Sequence, residues 1–112
     1  MKMKMKSVGL LAFTVLLNAC SLTLPVNGQM SDGTETFTGS ATGELDGGGK
    51  LSLISSSGRS CEGTFVYVTS RNGQGIFTCS DGQSGPFEFV STGTRGTGTG
   101  RIGGSAFTFT FG

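Results

Sequence analysis

Residues Cys61 to Phe89 read CEGTFVYVTSRNGQGIFTCSDGQSGPFEF. This segment has two cysteines, dense apolar alternation and three turn signals. From Thr64 to Thr69, Phe65 and Tyr67 face one way and Val66 and Val68 the other. A strand that is apolar on both faces is expected at the centre of a sheet. Asn72-Gly73 then reads as the turn of a hairpin, because Asn-Gly readily adopts the positive φ of a type I′ turn. Gly75–Ser80 is the returning strand, Asp81-Gly82 and Ser84-Gly85-Pro86 are turns, and Phe87–Thr92 is the next strand.

The same alternation continues on both sides. Between residues 35 and 45, Phe37, Gly39, Ala41, Gly43 and Leu45 share one face, and Thr36, Thr38, Ser40, Thr42 and Glu44 the other. This predicts a strand wet on one side. Its small central residues predict close approach by another backbone or a large ring. A glycine turn at Asp46–Gly49 leads to a strand carrying Leu51, Leu53 and Ile54. From Thr94 to Gly100, Thr or Arg alternates with Gly. That pattern fits either a strand tucked under large rings or a mobile loop. The chain closes on AFTFTFG, with Phe107, Phe109 and Phe111 on one face; three rings on one face must be paired inside a sheet. Residues 39–45 and 96–102 echo each other (GSATGEL and GTGTGRI). The echo reads either as a product of Thr-Gly composition or as a sign that the first and last hairpins are equivalents, neighbours that close a barrel. The expected fold is therefore all-β: a small antiparallel barrel or sandwich of six to eight strands.

The 112 residues allow one domain at most. Only 13% are charged and 21 are glycine, without a three-residue period, so neither a high-charge disordered chain nor collagen is indicated. The formal charge of +1 includes Lys2, Lys4 and Lys6. Without them, five cations (Lys50, Arg59, Arg71, Arg95, Arg101) face seven acids (Asp32, Glu35, Glu44, Asp46, Glu62, Asp81, Glu88), giving −2. Scattered charge of that balance offers no field for nucleic acid.

The first twenty residues carry an address. MKMKMK is basic, and VGLLAFTVLL (8–17) is apolar and too short to span a bilayer comfortably. Leu17-Asn18-Ala19-Cys20 follows, and it resembles the lipobox of bacterial lipoproteins: aliphatic at −3, small at −1, Cys at +1. Asn18 stands where Ala or Ser is more usual. The resemblance implies a signal peptide over 1–19, cleavage after Ala19 and diacylglyceryl transfer to Cys20. Two or more acyl chains hold a protein durably at a membrane. The resemblance also implies a place: in such lipoproteins Asp after the cysteine tends to hold the protein at the inner membrane, and Ser21 there favours the periplasmic face of the outer membrane if the cell is Gram-negative. Pro25, Asn27-Gly28 and Asp32-Gly33 make residues 20–34 an expected tether, with Leu22–Val26 as an edge strand the alternative, and leave 35–112 as the β domain.

With Cys20 acylated, Cys61 and Cys79 remain and are expected to form a disulfide in an exported chain. Register poses a difficulty. A two-residue turn at Asn72-Gly73 pairs residues whose numbers sum to 145, whereas 61 and 79 sum to 140. At about 3.3 Å per residue the cysteines would stand beyond the roughly 7 Å a disulfide permits. A bend or bulge at Glu62-Gly63, moving Cys61 into the preceding strand, would reconcile the two.

Cys61-Glu62-Gly63, the run CSDGQSG from Cys79 to Gly85, and the terminal FTFG resemble a set of small exported proteobacterial β proteins. That resemblance covers most of the mature chain and implies the fold. It carries no activity, and its loop often has Arg where this chain has Gln83.

Chemistry-bearing constellations are sparse. The chain has no His, which removes the usual general base and the commonest metal ligand. Its carboxylates form no acid/base pair. Asp46-Gly47 and Asp81-Gly82 read as turns rather than calcium loops, and GTGR at 98–101 lacks the lysine of a phosphate loop. No catalytic residue, metal or cofactor is expected. Three functions remain. The first is a noncatalytic envelope lipoprotein, membrane-bound through Cys20, with a structural or protein-binding role through the loop of Asp81, Gln83, Ser84 and Pro86. The second is a carrier of a small apolar ligand in a barrel cavity. The third is an inhibitor of an envelope hydrolase presenting a rigid loop.

Overall fold

The computed structural model describes residues 21–44 and 47–112; the leader, Cys20, Leu45 and Asp46 lie outside them. The strands are β1 (Ser21–Met30), β2 (Thr36–Glu44), β3 (Gly48–Ser55), β4 (Ser60–Tyr67), β5 (Asn72–Cys79), β6 (Ser84–Thr92), β7 (Arg95–Ile102) and β8 (Ser105–Phe111). Each pairs antiparallel with the next, and β8 returns to β1, closing an eight-stranded barrel. Closure leaves no sheet edge to protect.

Polarity follows the alternation. Inside lie Val26, Met30, Leu51, Leu53, Ile102 and the phenylalanines, with Phe37, Phe77 and Phe107 almost wholly buried. Outside lie Thr, Ser, Asn, Gln and charged residues, as at Thr36, Thr38, Lys50, Glu62, Gln74, Thr99 and Thr108. A membrane-spanning barrel needs an apolar outer band, and this wall is mainly polar, with Ile54, Val66, Ile76 and Val90 exposed among the hydroxyls and amides.

An eight-stranded barrel has an interior just wide enough for its side chains, yet this one takes in eight phenylalanines. Cross-strand pairing with glycine makes that possible. Phe37 stands opposite Gly28, Phe65 opposite Gly49, Phe77 opposite Gly63, Phe87 opposite Gly75, and Phe89 opposite Gly73. Phe107, Phe109 and Phe111 stand opposite Gly100, Gly98 and Gly96. Except at Gly28, where the Thr108 carbonyl oxygen and Phe109 Cβ take the space, each ring fills room its partner glycine leaves empty, and the rings then meet each other: Phe77 and Phe87 centroids are 4.3 Å apart, Phe65 and Phe89 5.0 Å. The Thr-Gly segment is thus strand β7, tucked under rings rather than looping free. Each buried ring contributes on the order of 2–3 kcal/mol through area removed from water.

Four expectations need correction. First, Ser21–Met30 is a barrel strand, not a tether. Pro25 is tolerated because β8 ends beside it: Gly112 N–H donates to the Pro25 carbonyl at 3.0 Å, and no further ladder bond is due. Gly28 does not mark a turn; it faces inward opposite Phe37 and Phe109. Second, Asn72-Gly73 opens β5 instead of forming a turn. The turn is 68–71, where the Thr69 hydroxyl accepts from the N–H groups of Arg71 and Asn72. Register then runs through the sum of 140, and Cys61 directly faces Cys79 with Cα atoms 3.9 Å apart. Ser80 N–H donates to Ser60 O at 2.7 Å beside them, so the cysteines occupy a non-hydrogen-bonded pair, where side chains come closest. The disulfide forms with no bulge at Glu62-Gly63. Third, β4 is not a central strand; Val66 and Val68 face solvent, 57% and 54% exposed. Fourth, the echoing hairpins β2–β3 and β7–β8 are not neighbours, because β1 is inserted between β2 and β8.

Candidate functional site

The up-and-down path sorts the turns. Turns 31–35, 56–59, 80–83 and 103–104 gather at one end. The other end holds the β2–β3 connection, turns 68–71 and 93–94, the start of β1 and the close of β8. The two ends differ in chemistry.

The first end is sealed by Arg59. Its guanidinium sits 5.6 Å from the centroid of Phe37, the buried ring beneath it. Its Nε and Nη2 donate to the two Glu35 carboxylate oxygens at 2.9 and 2.8 Å, a bidentate fork. Nη1 donates to Asp81 Oδ2 at 3.1 Å and to Gln83 Oε1 at 2.9 Å. The Ser57 hydroxyl adds a bond to Glu35 at 2.6 Å. One cation thereby ties three turns together. All four loop residues singled out by sequence are exposed; Asp81 and Gln83 accept hydrogen bonds from Arg59, while Ser84 and Pro86 stand at the start of β6. The loop is therefore part of a plug. Arg59 was not among the residues singled out. The signal was faint: one Arg beside a Ser-rich turn, 24 residues from its carboxylate.

Arg59 and the hydroxyls around it hold the Glu35 carboxyl down to about 2, from an ordinary 4.5. A depressed acid stabilises the fold fully above its unfolded pKa and loses that contribution as pH falls through the folded one. The barrel should therefore lose up to roughly 3 kcal/mol between pH 5 and pH 2 from this group. Thermal melts across that window should show a falling Tm in the native chain. In Arg59→Met the fall should be much shallower, from an already lower Tm at pH 7. Parallel curves would refute the assignment.

The second end is open and apolar. Inside it is a cavity of about 90 Å³, lined by Leu22, Leu24, Ala41, Gly43, Leu51, Phe65, Tyr67, Phe89, Gly93, Phe109 and Phe111. Tyr67 packs edge-on against Phe65 and Phe89, centroids 6.0 and 5.5 Å away. Leu22 is 52% exposed, because β1 runs past the end of β8 and is paired only with β2 there. Below this level Phe77, Phe87 and Phe107 fill the interior. A larger concavity, about 750 Å³, runs along the outer wall over Gly28, Gly73 and Gly98. Its lining mixes Asn, Gln and Thr with Val68, Val90, Phe89 and Phe109, Glu88 is its charged member, and it lies open to solvent. Among the described residues no three Cys, Asp or Glu are placed to hold a metal ion.

No family model matches the chain, and no curated protein matches it. Solved structures do. The chain is similar to a redesigned β barrel, mFAP1, bound to DFHBI, with a TM-score of 0.66 and 16% identity over 80% of this chain and 90% of that one. It is similar as well to a de novo designed fluorescence-activating β barrel, with a TM-score of 0.61 and 15% identity over 80% and 88%. A redesigned barrel, b11L5F_LGL, gives 0.60 and 17% over 80% and 86%. At such identities the likeness is one of fold.

Proposed function

We propose that this chain is a noncatalytic envelope lipoprotein, held through an acylated Cys20, whose barrel takes a small apolar group at its open end. The supporting observation is the contrast between the ends: one plugged by Arg59, the other a mouth lined by leucines and aromatic rings around a cavity of about 90 Å³. That volume sets the ligand. Drug-sized ligands occupy several hundred cubic ångströms, whereas this space admits the tip of an alkyl chain or a comparably narrow group. A barrel of the same fold has been solved bound to DFHBI, which accords with ligand binding by this architecture. A role through the Asp81–Pro86 loop has less support, because its polar groups already serve Arg59.

The chain carries its own reporter. Tyr67 is the sole tyrosine and there is no tryptophan, so tyrosine emission reads the mouth directly. Titration with decanoate should change that emission saturably. Ala41→Leu, which fills the cavity from the β2 wall, should abolish the response while far-ultraviolet circular dichroism stays unchanged. An emission that never saturates, or a response that survives in Ala41→Leu, would refute the mouth as the site.

A further inference from the structure

We infer that the barrel docks mouth-first on the lipid surface that anchors it, with bilayer hydrocarbon covering the open end. The inference rests on the reading of Cys20 as acylated, and it follows from the loss of the tether. Ser21 already belongs to β1 and lies at the mouth. Cys20 is its neighbour in the chain, one trans-peptide step of about 3.8 Å away. An anchor there leaves the protein at the mouth, with no flexible segment to let the barrel turn over.

The surface around that point suits the occupant. Seven large apolar residues are exposed on the described barrel, and five belong to its mouth half: Leu22, Val66, Tyr67, Val68 and Val90. Leu22, Tyr67 and Val68 sit at the rim itself. A tyrosine with one apolar face suits a membrane interface. Charge differs between the ends in the matching sense. Among the described residues, Lys50, Arg71 and Arg95 towards the mouth stand against Glu44 and, midway along β6, Glu88, while Asp32, Glu35, Glu62 and Asp81 outnumber Arg59 and Arg101 towards the plugged end. Cations near an anionic leaflet add attraction, and acids facing away avoid repulsion. Hydrocarbon at the mouth would also fill the cavity with the ligand class it fits.

The test uses the mature, acylated full chain reconstituted into anionic vesicles whose acyl chains carry bromine, a contact quencher. Two single-tyrosine proteins are compared: the native chain, and Tyr67→Phe combined with Ser31→Tyr, which moves the reporter to the plugged end. Mass analysis of the N-terminal peptide is done on the same samples. Docking predicts that Tyr67 emission falls by about half or more while the reporter at position 31 is unaffected, as expected for a group seated 5–10 Å into the interface. Equal quenching of both, or of neither, on an acylated chain overturns the docking and leaves the anchor standing. An unmodified Cys20 overturns the anchor, and the docking with it.

Discussion

Gly75→Ala should abolish the native fold, or lower its stability by at least about 3 kcal/mol, the upper range for overpacking a core. A Cβ on Gly75 would be driven into the backbone carbonyl oxygen of Thr64 on β4 and would stand 2.6 Å from Phe87 Cζ. The first obstacle is backbone held in the barrel ladder, so no rotamer change relieves it. Gly98→Ala makes an informative contrast. Its Cβ would strike Phe109 Cζ and stand 2.7 Å from the Glu88 carbonyl oxygen, so a side chain is the larger part of the obstruction. Shortening that side chain should help: Gly98→Ala with Phe109→Leu should be more stable than Gly98→Ala alone. Gly75→Ala with Phe87→Leu should show no such recovery. Denaturant melts of the four variants measure both couplings, and rescue at both sites or at neither would refute the distinction between a glycine seated under a ring and one held against a backbone carbonyl.

Opening the disulfide should produce the second largest effect. The bond closes a loop of 18 residues in sequence separation, and chain-entropy arguments assign such a closure about 3 kcal/mol. For a domain of this size, that amounts to roughly 15 °C in Tm. Cys61→Ala combined with Cys79→Ala, or reduction by dithiothreitol, should lower the melting temperature by about that amount while leaving the barrel folded at about 20 °C, because the cysteines lie within strands that remain paired by β4–β5 hydrogen bonds and by the rings beneath. Removing either cysteine alone should match the double variant within about 1 kcal/mol, since the cross-link is lost in each. A shift of only a few degrees would mean that the unfolded chain is already compact around that hairpin.

The two predictions rest on features of different visibility. Two cysteines left over in an exported chain pointed to the bond, but the register that permits it was hidden. Asn72-Gly73 has the composition of a tight turn, and so has Asn27-Gly28; both lie inside strands. In each case the glycine leaves room across the wall, Gly73 under the Phe89 ring and Gly28 against the Thr108 carbonyl oxygen and Phe109 Cβ. Asp32-Gly33, by contrast, is a turn, with Gly33 at φ 77° and Asp32 accepting from Thr34. A glycine that supplies positive φ and a glycine that vacates space for phenylalanine look the same along the chain.

Period-two alternation was enough to establish an all-β chain, the inward faces of β2 and β8 and the burial of the terminal phenylalanines, because side-chain direction in a strand depends on local geometry alone. Small residues at alternate positions pointed to close approach by a backbone or a ring, without saying which. What required the tertiary structure was everything that depends on a partner distant in sequence: closure through β1, the Cys61–Cys79 register, and the gathering of Glu35, Arg59, Asp81 and Gln83 into one plug. Those pairings are chosen by which ring faces which gap across the wall, and no window of neighbouring residues contains both halves of that choice.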